Sequence, residues 1–76
     1  MGEEYYIVGS ADCVFCGRAT ALLGSLGRPY RYDDVSTSQF AMDELKALGT
    51  NTVPQIWVGS RHIGGYTELL TELMEK

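Results

Sequence analysis

Apolar and polar positions along this chain follow two periods, and the places where the period changes mark its elements. Tyr5 to Val8 is an aromatic and β-branched run closed by Gly9 and Ser10, which suits a buried strand better than a helix. From Val14 to Leu26 the apolar residues Ala19, Leu22, Leu23 and Leu26 recur at the spacing of one helical face, and Gly27 stops that helix. Asp12 is suited to its N-cap, which places Cys13 at the first helical position and Cys16 one turn on. Pro29 to Val35 alternates aromatic and polar residues as a half-buried strand would. Ser36 to Ser38 then cap a helix over Phe40 to Leu48 whose buried face is predicted to hold Phe40, Leu45 and Leu48.

The second half of the chain reads in the same way. Gly49 to Thr52 is a polar loop that leads into a strand over Val53 to Val58, and Gly59-Ser60 is a two-residue hairpin turn into Arg61 to Ile63. Gly64-Gly65 breaks the pattern, and Thr67 to Lys76 closes it with Leu69, Leu70, Leu73 and Met74 at helical spacing. The order is βαβαββα. A helix-sized crossover makes the first strand pair parallel and the tight turn makes the last pair antiparallel, so an α/β fold with a mixed four-stranded sheet flanked by helices is expected.

Seventy-six residues provide one domain, spanning 1–76, and one modest core. A core of that size rarely supplies more than about 3 to 5 kcal/mol unaided, so a stapling role for the cysteines has to be considered. Ten acidic against six basic residues, a net charge of -4, exclude the clustered positive charge that nucleic-acid binding needs. No basic leader opens the chain and no apolar run reaches the roughly 18 residues of a membrane span, so a cytoplasmic protein without a membrane partner is expected. In that compartment a structural disulfide is uncommon, and closely spaced cysteines are more often redox-active or metal-binding. Two cysteines and the single His62 fall short of a structural zinc set, so no metal is expected.

"DCVFC", residues 12 to 16, contains both thiols of the chain. Residues i and i+3 share one side of a helix, so the sulfurs can alternate between dithiol and disulfide. Free N–H groups and the dipole at a helix N-terminus favour a thiolate, which makes Cys13 the expected nucleophile. Cys16, a turn deeper and flanked by Val14, Phe15 and Ala19, is expected to be shielded and to resolve mixed disulfides. Asp12 opposes a thiolate beside it, and Arg18 offsets part of that effect. A Cys-x-x-Cys loop restrains too little unfolded chain to matter as a staple.

Three motifs in order, "CVFCGRA", "TVPQI" and "GGYTEL", resemble the active-site helix start, cis-proline loop and glutathione-carboxylate loop of glutaredoxins, within the thioredoxin superfamily. The resemblance covers essentially the whole chain and is closest to short phage or bacterial dithiol members. It implies a thioredoxin-like fold, a cis Val53-Pro54 bond, and catalysis by a redox-active Cys13–Cys16 pair. Glutathione is implied as co-substrate, held by Phe15, Thr52, Val53, Pro54, Gly65, Tyr66 and Thr67. At the last of these motifs the residues agree, since Gly64 and Gly65 allow close approach and a helix N-terminus with the Thr67 hydroxyl suits a carboxylate.

Departures from the pattern open alternatives. Ser10 stands where many members have a basic residue, and Val14 and Phe15 replace the usual proline and tyrosine. The leading expectation is a monomeric enzyme that reduces protein disulfides and glutathione mixed disulfides. The rivals are an electron donor to ribonucleotide reductase recharged by a flavoprotein, and a non-enzymatic iron-sulfur cluster carrier using Cys13 with glutathione. Trp57 and His62 receive packing or surface roles, Tyr30 and Tyr32 are strand aromatics, and Asp33, Asp34, Asp43 and Glu44 are solvated charge, with Asp34 an alternative cap or turn residue.

Overall fold

The computed structural model describes residues 3–75. Four strands, β1 (Tyr5–Gly9), β2 (Tyr30–Asp34), β3 (Gln55–Val58) and β4 (Arg61–Gly64), alternate with three helices, α1 (Val14–Ser25), α2 (Gln39–Ala47) and α3 (Tyr66–Met74). The sheet order is β2-β1-β3-β4. β1 pairs in parallel with β2 and antiparallel with β3, and β3 pairs antiparallel with β4. This is the mixed sheet expected from the connections, and the fold is thioredoxin-like.

Being central, β1 is covered on both faces, which explains a run of apolar residues without polar alternation. Ile7 joins Ala19 and Leu23 of α1, Ile56 and Val58 of β3 and Leu69 of α3 in the larger core. Val8 faces the other way, against Ala41 and Leu45 of α2. Helices α1 and α3 therefore share one face of the sheet and α2 covers the other.

Two expected faces shift in the structure. On α2 the buried positions are Ala41 and Leu45, whereas Phe40 is 56% exposed and contacts only the rim, its ring 5.8 Å from that of Tyr6. The small Ala41 lets the helix approach the sheet, and the larger ring is then left at the side. On α3 Leu69 is buried while Met74 is exposed, because the helix runs past the edge of the core there. That helix begins at Tyr66, one residue earlier than predicted, and its predicted end at Lys76 lies outside the described residues.

Local polar pairs set the remaining ends. Ser38 caps α2, its hydroxyl accepting from the Ala41 N–H at 3.1 Å. Asp34 accepts from the Ser36 N–H at 2.7 Å and from its hydroxyl at 2.6 Å, so it is the turn residue that leads from β2 to α2. These bonds hold its carboxyl below the ordinary carboxylate range. Asp33 is not merely solvated: it accepts from the Tyr6 hydroxyl at 3.0 Å and pairs with Arg31 at 3.4 Å. Burial, and next the bond to Asp33, push the Tyr6 phenol up.

Candidate functional site

The turn from β1 into α1 brings both sulfurs to one end of the sheet. Cys13 and Cys16 are paired as a disulfide, with their Cα atoms 5.2 Å apart. Cys13, not Asp12, is the N-cap: its backbone is extended and the Cys16 N–H points at its Sγ from 3.1 Å. Asp12 instead accepts from the Ser10 hydroxyl at 3.1 Å. Thus a sulfur occupies the place where a capping oxygen usually satisfies a free N–H, and electron density on it is favoured by that donor and by the helix end.

The two sulfurs differ in access. Cys16 is 1% exposed, while Cys13 is partly open to solvent. The shield over Cys16 is not the one expected, since Val14 and Phe15 are themselves 67% and 50% exposed. Gly9 of β1 and Tyr32 of β2 form it: a Cβ on Gly9 would lie 2.8 Å from both Cys16 Sγ and Tyr32 Cε1. Only a residue without a side chain allows the sulfur this close to the strand. Arg18 sits 5.2 Å from the centre of the Phe15 ring, and that cation–π contact is the interaction the structure gives it.

Beside Cys13 the chain returns through Thr52, Val53 and Pro54. The Val53-Pro54 peptide is cis, and Val53 O lies 3.7 Å from Cys13 Sγ. A groove of about 320 Å³ opens here, lined by Phe15, Thr52, Val53, Pro54, Gln55, Gly65, Tyr66, Thr67 and Glu68. All seven residues assigned to glutathione by resemblance therefore lie on one groove. Phe15 on α1 and Tyr66 on α3 meet across it with ring centres 5.7 Å apart.

At the far end of the groove α3 begins. Gly64 has φ of 131°, a conformation that disfavours side chains, and a Cβ there would meet the Glu68 side chain at 2.8 Å. The Gly65 N–H is not free for a ligand, because it donates to Glu68 Oε1 at 2.8 Å. The donors left for a carboxylate are the first-turn N–H groups of Tyr66 and Thr67, which have no intrahelical acceptor, and the Thr67 hydroxyl.

Gln55 and Glu68 were missed from sequence. Glu68 stands three residues after the N-cap, a spacing that lets its carboxylate reach back to the N-cap N–H, here without a return bond because Gly65 has no side chain. His62 and Trp57 lie on the hairpin as expected, with ring centres 5.1 Å apart. A larger concavity of about 560 Å³, lined among others by Tyr6, Phe40 and Trp57, involves neither cysteine. Among the described residues no cluster of three or more histidine, cysteine or acidic side chains could hold a metal ion, and no helix is long and apolar enough to cross a membrane.

The family model described as Glutaredoxin matches residues 4–63. Glutaredoxin 1 of Escherichia coli strain K12 is 32% identical over 77 residues, covering 91% of each chain. Glutaredoxin 1 of Rickettsia typhi is 36% identical over 64 residues, covering 78% of this chain and 60% of that relative's length. The crystal structure of a buckwheat glutaredoxin–glutathione complex superposes with a TM-score of 0.79 at 23% identity, covering 93% of this chain and 68% of that one.

Proposed function

This chain belongs to the glutaredoxin family, a family of thiol-disulfide oxidoreductases, and from that premise we propose that it reduces protein disulfides and glutathione mixed disulfides at the expense of glutathione. The observation that carries the reading is the partly exposed N-cap sulfur of Cys13 beside Val53 O, a residue that itself lines the groove next to it. The neighbour of the same fold that holds glutathione supports that choice of ligand.

In the dithiol route the Cys13 thiolate attacks one sulfur of a substrate disulfide. A Cys13–substrate bond forms and the other substrate sulfur leaves with the electron pair, taking up a proton. Cys16, deprotonated, then attacks Cys13 Sγ and expels the reduced substrate, closing Cys13–Cys16. One glutathione thiolate reopens that bond by attack on Cys13, and a second attacks the glutathione sulfur, leaving glutathione disulfide and the Cys13 thiolate. Two electrons pass from two glutathiones to one substrate disulfide. With a glutathionylated substrate Cys13 takes the glutathione directly, and Cys16 is not needed.

In this reading the peptide N–H and C=O of Val53 pair with the cysteinyl backbone of glutathione, and the first turn of α3 takes its γ-glutamyl carboxylate. On the same reading residues 1–76 provide one glutaredoxin domain that acts as a monomer in the cytoplasm. The test is glutathione-dependent turnover of a glutathionylated peptide and of a protein disulfide with each cysteine replaced. Cys13→Ser loses both activities; Cys16→Ser loses protein-disulfide reduction and keeps deglutathionylation. Normal turnover by Cys13→Ser would remove the assignment.

A second reading keeps the chemistry and changes the reductant to a flavoprotein, with ribonucleotide reductase as a recipient. Ser10 favours it, because it stands where many family members have a basic residue for glutathione's glycine carboxylate and its hydroxyl is bonded instead to the Asp12 carboxylate. Turnover with thioredoxin reductase but not with glutathione would select it. Iron-sulfur carriage would require the Cys13 thiolate that its pairing with Cys16 consumes. A coloured, cluster-bridged dimer after anaerobic reconstitution would select that third reading.

A further inference from the structure

Gln55 is the buried polar side chain among the described residues, and a buried carboxamide is unfavourable unless its donors and acceptor are all used. Here they are. Its Nε2 donates to Thr52 O at 3.0 Å and to Thr52 Oγ1 at 3.1 Å, while Oε1 lies 2.8 Å from His62 Nε2. The orientation of the amide follows from chemistry, since the Thr52 carbonyl can only accept and must face the NH2 group. Oε1 therefore faces His62, and His62 Nε2 carries the proton and donates.

The chain of bonds ends on the groove. The Thr52 N–H donates to Thr50 Oγ1 at 3.2 Å, and the two threonine hydroxyls are 3.1 Å apart. The N–H, C=O and hydroxyl of Thr52 are thus all held by the protein, and the next carbonyl along, Val53 O, is the one near Cys13 Sγ. The far end of the chain is anchored in the sheet. Gln55 opens β3 opposite Val8 of the central strand, and His62 stands opposite Trp57 on β4, against its ring. A loop outside any helix or strand is thereby tied back to the sheet it precedes.

We propose that His62 and Gln55 are positioning residues for glutathione: His62 fixes the Gln55 carboxamide, and Gln55 clamps Thr52 so that Val53 meets the tripeptide at the correct distance from Cys13. This rests on the glutathione reading above. Neither residue reacts. Their effect falls on the affinity of the groove, not on the sulfur exchange.

The test is steady-state deglutathionylation of a peptide with varied glutathione, using Gln55→Met, which keeps length but no polar atom, His62→Phe, which keeps a ring against Trp57 but no donor, and the double variant. KM for glutathione rises about tenfold in Gln55→Met and about threefold in His62→Phe, while kcat stays close to that of the parent. Because His62 acts through Gln55, the double variant is no worse than Gln55→Met alone. His62 is exposed, so its variant folds even where Gln55→Met does not. A parent enzyme saturated by glutathione with His62→Phe unmoved in KM overturns this proposal alone, as does full additivity in the double variant. A parent enzyme indifferent to glutathione overturns the glutathione reading and this one together.

Discussion

The two faces of the sheet are covered unequally. Beneath α1 and α3 lies a core that includes Ile7, Leu23, Ile56 and Leu69, each fully buried, whereas α2 closes the other face with Ala41 and Leu45 over Val8 and a rim of half-buried aromatics. Every main-chain end that addresses the groove, apart from the 52–54 loop, belongs to the thicker face: the start of α1 carries Cys13, and the start of α3 carries Tyr66 and Thr67. Precision at the site is bought with packing on one side, while the other side serves mainly to close the molecule.

Truncation should show the contrast most strongly. Leu69→Ala removes a buried side chain that joins α3 to the sheet, and its cost falls within the range of about 2 to 5 kcal/mol for such changes, toward the upper end. Leu45→Ala under α2 falls at the lower end, because its site is already 5% exposed and can relax. Urea unfolding of both variants checks the order; equal losses would erase the distinction between the faces.

Next in size is Gly9→Ala, a change on the thicker face that reaches the chemistry. The new methyl meets Cys16 Sγ and Tyr32 at 2.8 Å, and such overpacking costs about 1 to 3 kcal/mol. Cys16 must move, so reduction of protein disulfides falls more than deglutathionylation, which bypasses it. A parallel fall in both rates would show that the shield over Cys16 is only structural.

On the thinner face Tyr6→Phe deletes the hydroxyl that donates to Asp33 and should cost about 1 kcal/mol with no change in KM for glutathione. Smallest is the acid response of the β2–α2 turn. The Asp34 carboxyl titrates below its ordinary range because Ser36 donates to it, so its contribution is complete above that range and is lost as pH falls through the folded value. Ser36→Ala removes one donor and flattens this part of the stability–pH profile, measured as the thermal midpoint at successive acid pH values.

The elements were legible in the chain, but their unequal distribution over the two faces was not. The helical spacing of Ala19, Leu22 and Leu23 and the apolar run of β1 gave a helix and a buried strand, and the connections gave one parallel and one antiparallel pair, whereas the strand order β2-β1-β3-β4 appears only in the structure. The ranking of residues by size misled at Phe40, because how closely a helix can approach is decided by its small residues, and Ala41 carries no hydrophobic signal of that strength. Asp12 was the better N-cap by residue preference, yet the sharp turn after Ser10 gave the position to Cys13, whose sulfur accepts as an oxygen would.

The candidate site was legible as motifs and not as contacts. Phe15, Val53 and Tyr66 come from three separate segments, and their common groove follows from the resemblance, not from any local period. Gly9 and Tyr32 were missed as the cover of Cys16 because both act across strands. Gln55 and His62 were missed because a polar residue after a proline and a histidine on a hairpin look like surface until register sets one diagonal to the other.

The central claim is that the N-cap sulfur, and not its buried partner, is where substrate is met. Reduce the protein, treat it with less than one equivalent of iodoacetamide at neutral pH, and locate the label by peptide mass spectrometry. The label is expected almost wholly on Cys13, with Cys16 modified only after unfolding; equal labelling, or labelling of Cys16 first, would contradict the account.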